Sequence, residues 1–176
     1  MNFNTSEENA QAFAIHWHGD QKRKYTVEPY WLHPRNVARL VKQATSDPEV
    51  IAAAWLHDVI EDTECTEDVI QREFGPNVAR WVVGLSDHYT RERYRQLNRE
   101  TRKELEARRL GNESSQVKLV KIADLIDNSV SIDQYDPAFA PVYMREKRRL
   151  LDHLTGVSDV LWDQAYALVA GVPWPE

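Results

Sequence analysis

Apolar residues recur along this chain at intervals of three and four, and no strand-length alternation lies between turn signals. Near the start, Ala10, Phe13, Ala14 and Trp17 make one stripe, with Thr5 and Glu8 as a capping box ahead of it and Gly19 as a stop. In "PYWLHPRNVARLVKQA" the stripe is Val37, Leu40, Val41 and Ala44, with Pro29 or Pro34 in the first turn. Asp47 then Pro48 reads as an N-cap and an N1 proline, opening a helix from Glu49 to about Glu61. Thr66 caps a short helix ending at Gly75, and Pro76 opens another that runs through Val82. Residues 90 to 110, with Tyr94, Leu97, Thr101 and Leu105 among many charges, read as one long exposed helix stopping at Gly111. "SSQVKLVKIADLIDNSVSI" starts a helix after a serine cap, and "AFAPVYMREKRRLLDHL" and "SDVLWDQAYALVA" supply two more. The expectation is an all-α fold: one compact helical bundle of about seven or eight helices forming a single domain over residues 1–176.

Composition narrows the function classes. The chain has 176 residues, 42% hydrophobic and 28% charged, with a net charge of -6. That balance suits a globular protein and argues against a general binder of nucleic acid or membrane surfaces, which needs a basic footprint. "VIAAAWL" is too short to span a bilayer, and "MNFNTSEENA" shows no basic-then-apolar leader. Cys65, the sole cysteine, reads as an ordinary thiol in a reducing compartment. A cytoplasmic location is expected.

Chemistry concentrates in "AAWLHDVIEDTECT", where an apolar helix ends in His57, Asp58, Glu61, Asp62 and Glu64. Acids at a helix C-terminus meet negative partial charge and need something positive nearby. Helical spacing puts His57 with Glu61 and Asp58 with Asp62 on shared faces, so a divalent cation would explain the gathering. His33 lies on the inward stripe of its own helix, as a core histidine satisfied by one hydrogen bond or as a ligand. Asp124 falls on the inward stripe of Val117 and Val120, where a carboxylate must be paired with a cationic side chain or bound to a metal. His33, His57, Asp58 and Asp124 together make a two-imidazole, two-carboxylate set suited to manganese, iron or zinc rather than calcium or magnesium. Lys22, Arg23 and Lys24 form a compact basic run, read as a solvated loop or a phosphate contact.

These residues carry a family resemblance. The order H…HD…D is similar to the HD phosphohydrolases. More closely, "HGDQKRKYTVEPYWLHPRNVARLV", "AAWLHDVIEDTECT", "FGPNVARWVVGLS" and "VKIADLIDN" resemble the hydrolase domain of RelA/SpoT proteins and their small stand-alone relatives. The core motifs run from about residue 8 to 131, a weaker likeness continues through "AFAPVYMREKRRLLDHL", and the C-terminal helices cover 138–170. The resemblance implies one manganese ion per chain, held by His33, His57, Asp58 and Asp124. It implies Glu61 and Asp62 as the catalytic acids, and Arg23, Lys24, Asn128 and Tyr143 as contacts to a small-molecule nucleotide. The implied reaction removes the 3′-pyrophosphate of ppGpp or pppGpp, leaving GDP or GTP. Where many relatives read "ADRLHN", this chain reads "ADLIDN", so Leu125 removes a base and Asp127 adds an acid. Two alternatives follow: an HD phosphohydrolase acting on another nucleotide, and a catalytically silent nucleotide-binding module.

Overall fold

The computed structural model describes residues 3–171. The chain divides into two compact units, Met1–Ser86 and Asp87–Glu176. Ten helical segments are present among the described residues, and the only bridge pairing there is Lys22 with Pro29. The all-α expectation holds.

In the first unit the central element is α3 (Pro48–Leu56), whose residues from Val50 to Leu56 are all buried. A helix apolar on every side has to be surrounded. The elements around it are α1 (Glu7–His18), α2 (Leu32–Val41) and α6 (Pro76–Leu85), with α5 (Glu67–Phe74) packed on α6. The Asp47 carboxylate accepts the Glu49 amide at 2.9 Å with Pro48 next to it, as the sequence indicates. For α1 the cap is Ser6, which accepts from the Asn9 amide at 3.3 Å while its own amide donates to Asn4 Oδ1, so the cap sits one residue later than Thr5 and is not a capping box. The helix expected through Glu61 ends at Leu56. A four-residue segment, α4 (Val59–Asp62), follows after a break at His57 and Asp58. Asp58 turns back towards the two histidines, and the Thr63 hydroxyl closes α4 by donating to the Val59 carbonyl at 2.6 Å.

The second unit holds α7 (Arg99–Gly111), α8 (Ser115–Tyr135), α9 (Ala140–His153) and α10 (Asp159–Val169). Asn98, Ser114 and Ser158 cap α7, α8 and α10, each accepting from an amide three residues on. Helix α8 packs against α9 and α10, and α7 packs on α9. Two cross-links tie that last pair: Arg99 meets Glu146 through two bonds of 2.6 and 2.8 Å, and Arg149 meets Glu100 at 2.7 Å. The long helix expected from residue 90 begins only at Arg99. Its start is set by Asn98, which accepts the Thr101 amide at 2.8 Å, while Glu106, buried in α7, holds the preceding loop by accepting the amides of His88 and Tyr89 at 3.0 and 2.8 Å. Those amides are committed to a side chain, and the chain turns until Asn98. No helix among the described residues is long and apolar enough to cross a membrane.

The sharp join between α5 and α6 yields a stability prediction. Gly75 sits at φ 90° and ψ 170°, a region essentially reserved for glycine. A Cβ there would also lie 2.6 Å from Cδ2 of Phe3. Gly75→Ala is expected to lower unfolding stability by about 1–3 kcal/mol, as read by urea denaturation.

Candidate metal centre

The break after α3 brings three ligand-type atoms together. His57 Nε2 lies 3.1 Å from His33 Nε2 and 3.0 Å from Asp58 Oδ2, and His33 Nε2 lies 3.4 Å from the same oxygen. Both imidazoles are buried, and the Asp58 side chain is 19% exposed. Metal–ligand bonds of about 2.0–2.2 Å, opened by octahedral to tetrahedral angles, put neighbouring donors about 2.8–3.6 Å apart. The triangle fits one cation.

Proton bookkeeping agrees. His57 Nδ1 faces the Ala54 carbonyl at 2.8 Å and donates to it, which leaves the Nε2 lone pair pointing into the triangle. Two imidazole nitrogens and a carboxylate at these distances need a positive centre, either a proton or a metal. Burial alone would push the Asp58 carboxyl up, but His57 and His33 beside it outweigh burial and hold it well below the usual carboxylate range.

Supporting groups surround the triangle. The Tyr30 hydroxyl donates to Asp58 Oδ2 at 2.7 Å. Burial, then the charges of Asp58 and Asp62, raise its pKa far beyond the ordinary tyrosine value, so it stays a donor. His18, buried against the Tyr30 ring, hydrogen-bonds Gln21 Oε1 through Nδ1 at 2.9 Å. Gln21 Nε2 in turn donates to the Asp62 carbonyl at 2.7 Å, which pins the end of α4. Glu61 and Asp62 are exposed on that segment. Desolvation, then the Asp58 charge, raises the Asp62 carboxyl. Arg23 and Lys24 lie on the loop closed by the Lys22–Pro29 bridge, where Lys24 Nζ donates to the Tyr25 hydroxyl at 2.9 Å.

The structure thus brings together His33, His57 and Asp58, with Glu61 and Asp62 one turn beyond. Sequence reasoning missed Tyr30, His18 and Gln21, since His18 reads there as a histidine without a clear partner. Tyr30 stands 28 residues from Asp58, and Gln21 stands 41 from Asp62, beyond any helical spacing. The one local signal was Tyr30 preceding His33 by three residues.

Asp124 lies on α8 of the second unit, 5% exposed. Its Oδ2 is 3.0 Å from Lys121 Nζ and its Oδ1 accepts from Asn128 Nδ2 at 2.5 Å. Lys121, its side chain 12% exposed, is the ion-pair partner of Asp124 one turn away on the same helix. Leu125 is fully buried and belongs to the apolar core. Tyr143, on α9, is 7% exposed.

An HD domain spans residues 10–156, and the chain belongs to the HD domain family. Within it the similarity runs to enzymes of guanosine alarmones. The chain is 30% identical to the guanosine-3′,5′-bis(diphosphate) 3′-pyrophosphohydrolase MESH1 of Drosophila melanogaster, over 83% of each chain. It is 35% identical to the Mus musculus MESH1 over 73% of this chain and 70% of that one. It is 39% identical to the guanosine-3′,5′-bis(diphosphate) 3′-pyrophosphohydrolase of Aquifex aeolicus over 69% of this chain, and spans only 17% of that longer protein. Among solved structures it resembles a metazoan ortholog of SpoT that hydrolyzes ppGpp, with a TM-score of 0.83 and 25% identity over 98% of this chain and 99% of that one.

The Tyr30 hydroxyl orients a carboxylate of the triangle, and losing such a partner costs about 10–100-fold in metal affinity. Tyr30→Phe is expected to weaken manganese binding by that factor in calorimetric titration while the protein stays folded. Unchanged affinity would show that the hydroxyl does nothing for Asp58.

Proposed function

We propose that this chain is a metal-dependent hydrolase that removes the 3′-pyrophosphate of guanosine alarmones, leaving GDP from ppGpp and GTP from pppGpp. The observation that carries the reading is the buried His33, His57 and Asp58 triangle followed directly by Glu61 and Asp62. The similarity to MESH1 over most of both chains supports the substrate. The family match crosses both units, which supports reading residues 1–176 as a single HD domain. A cytoplasmic location suits a nucleotide substrate and the lone buried thiol of Cys65.

A divalent cation, with manganese the preferred candidate, would polarise a phosphoryl oxygen and acidify water there. His33, His57 and Asp58 would hold it, with Asp124 proposed as the fourth ligand on the resemblance of "VKIADLIDN". Glu61 and Asp62 orient the attacking water and take its proton as the bond from the ribose 3′ oxygen to phosphorus breaks. Gln21 keeps the Asp62 end of α4 in place. Arg23 and Lys24 meet the base and phosphates, Asn128 the nucleotide, and Tyr143 the substrate pocket; cationic side chains absorb charge developing on the leaving oxygens.

A second reading, hydrolysis of another nucleotide, is favoured by one feature: Asp127 puts an acid next to Asn128. The products separate the two. Purified protein with manganese and ppGpp is expected to give GDP and pyrophosphate by anion-exchange chromatography, whereas orthophosphate from a different nucleotide, with ppGpp intact, supports the second reading. Replacing Glu61 by Gln and Asp62 by Asn together is expected to lower turnover at least about 100-fold with the metal still bound. Asp124→Asn is expected to weaken manganese binding, and unchanged affinity would remove Asp124 from the ligand set.

A further inference from the structure

Around one small cavity of the second unit, ion pairing leaves a cation over. A cavity of about 20 Å³ is lined by Asp87, Lys103, Glu106, Lys121, Glu146 and Lys147 among others. Each carboxylate there has its own counter-charge. Asp87 pairs with Lys103 at 2.9 Å, and Glu146 is held twice by Arg99. Glu106 takes Arg109 Nε at 2.7 Å besides the two loop amides. Lys121 is matched by Asp124 at 3.0 Å. Lys147, partly buried on α9, makes no ion pair among the described residues. Its ammonium lies over the Tyr143 ring, 5.0 Å from the centroid.

An ammonium so placed is a liability, since leaving a buried charge unpaired is strongly destabilising. Burial first, then Lys121, pushes its pKa down to about 8. Beside it, the buried Tyr143 hydroxyl has no partner at full hydrogen-bond geometry among the described residues, with the Ser129 side chain as a looser neighbour. A surplus cation and an unmet hydroxyl together describe the complement of an anionic, oxygen-rich group. On α8 the residues flanking Asp124 are apolar: Ala123, Leu125 and Ile126 are all buried, and Lys121 is already paired. Any further positive charge here comes from α9.

We propose that Lys147 is a phosphate-contacting residue that determines substrate affinity: with the Tyr143 hydroxyl beside it, its ammonium takes an oxygen of the pyrophosphoryl group of the nucleotide. This rests on the reading above that Tyr143 and Asp124 face that nucleotide. The contact is a charge-assisted hydrogen bond, and its loss weakens binding about tenfold or more.

The test uses the full-length protein, its Lys147→Met and Lys147→Arg variants, and inorganic pyrophosphate as the probe. Pyrophosphate affinity is measured by calorimetry without added metal, because pyrophosphate itself chelates manganese. Lys147→Met is expected to bind pyrophosphate about tenfold or more weakly, to raise KM for ppGpp more than it lowers kcat, and to melt at a higher temperature than the parent. The last effect follows from removing an unpaired charge. The folded-state pKa lies below the ordinary value of 10.5, so that destabilisation is full below about pH 8 and fades as pH rises towards 10.5. The melting advantage of Lys147→Met should fade with it. Lys147→Arg keeps the charge and is expected to restore most of the pyrophosphate affinity. Unchanged pyrophosphate affinity in Lys147→Met, or a variant that melts lower or fails to fold, overturns the proposal in favour of a structural lysine. A parent protein that binds no pyrophosphate overturns it too. If the parent binds pyrophosphate through Lys147 and yet leaves ppGpp intact with manganese, the phosphate site stands and the alarmone reading falls.

Discussion

Two imidazole nitrogens and a carboxylate oxygen, all within 3.0–3.4 Å of one another, are the constraint on which the first unit depends. Three electron-rich atoms do not converge in a mostly buried place unless a positive centre belongs among them. The fold is arranged to force that convergence. Helix α3, apolar on every side, buries His57 at its end, and the Ala54 carbonyl fixes which nitrogen turns inward. The break at Asp58 then folds the carboxylate back.

The second unit treats its buried acid differently. Asp124 is satisfied within its own helix, by Lys121 one turn before and Asn128 one turn after. A hydrogen-bonded carboxylate still has lone pairs to offer, and metal-binding carboxylates usually carry such partners. The ion pair therefore fits both readings of Asp124 that its place on the stripe allowed. It also explains why a lysine stands in "VKIAD": without it, a carboxylate on the apolar side of α8 would carry the full cost of burial.

What the sequence made legible was local. The Asp47–Pro48 start, the Gly75–Pro76 join, and α8 and α10 with their serine caps all follow from residues within a turn of one another. So did His57 and Asp58, which are adjacent. What it hid depends on side chains reaching across the chain. Tyr94 and Leu97 have helical spacing, yet the helix is capped only at Asn98, and the loop before it is held by Glu106 through the amides of His88 and Tyr89, 18 and 17 residues away. Tyr30, His18 and Gln21 were invisible for the same reason, as their partners lie elsewhere or depend on a turn the spacing does not show.

These hidden contacts differ in kind from the legible ones. Caps, glycine turns and apolar stripes each lower the free energy of the fold, and they agree with one another. The converging imidazole nitrogens of His33 and His57, the exposed acids of α4 gathered beyond Asp58, and the Lys147 ammonium with no ion pair among the described residues do not. Each departs from what stability alone would select. Such departures survive where a ligand supplies the missing partner. A cation among the imidazoles and an anion beside Lys147 are complementary demands, and a metal-assisted reaction on a phosphorylated substrate is a chemistry that meets both.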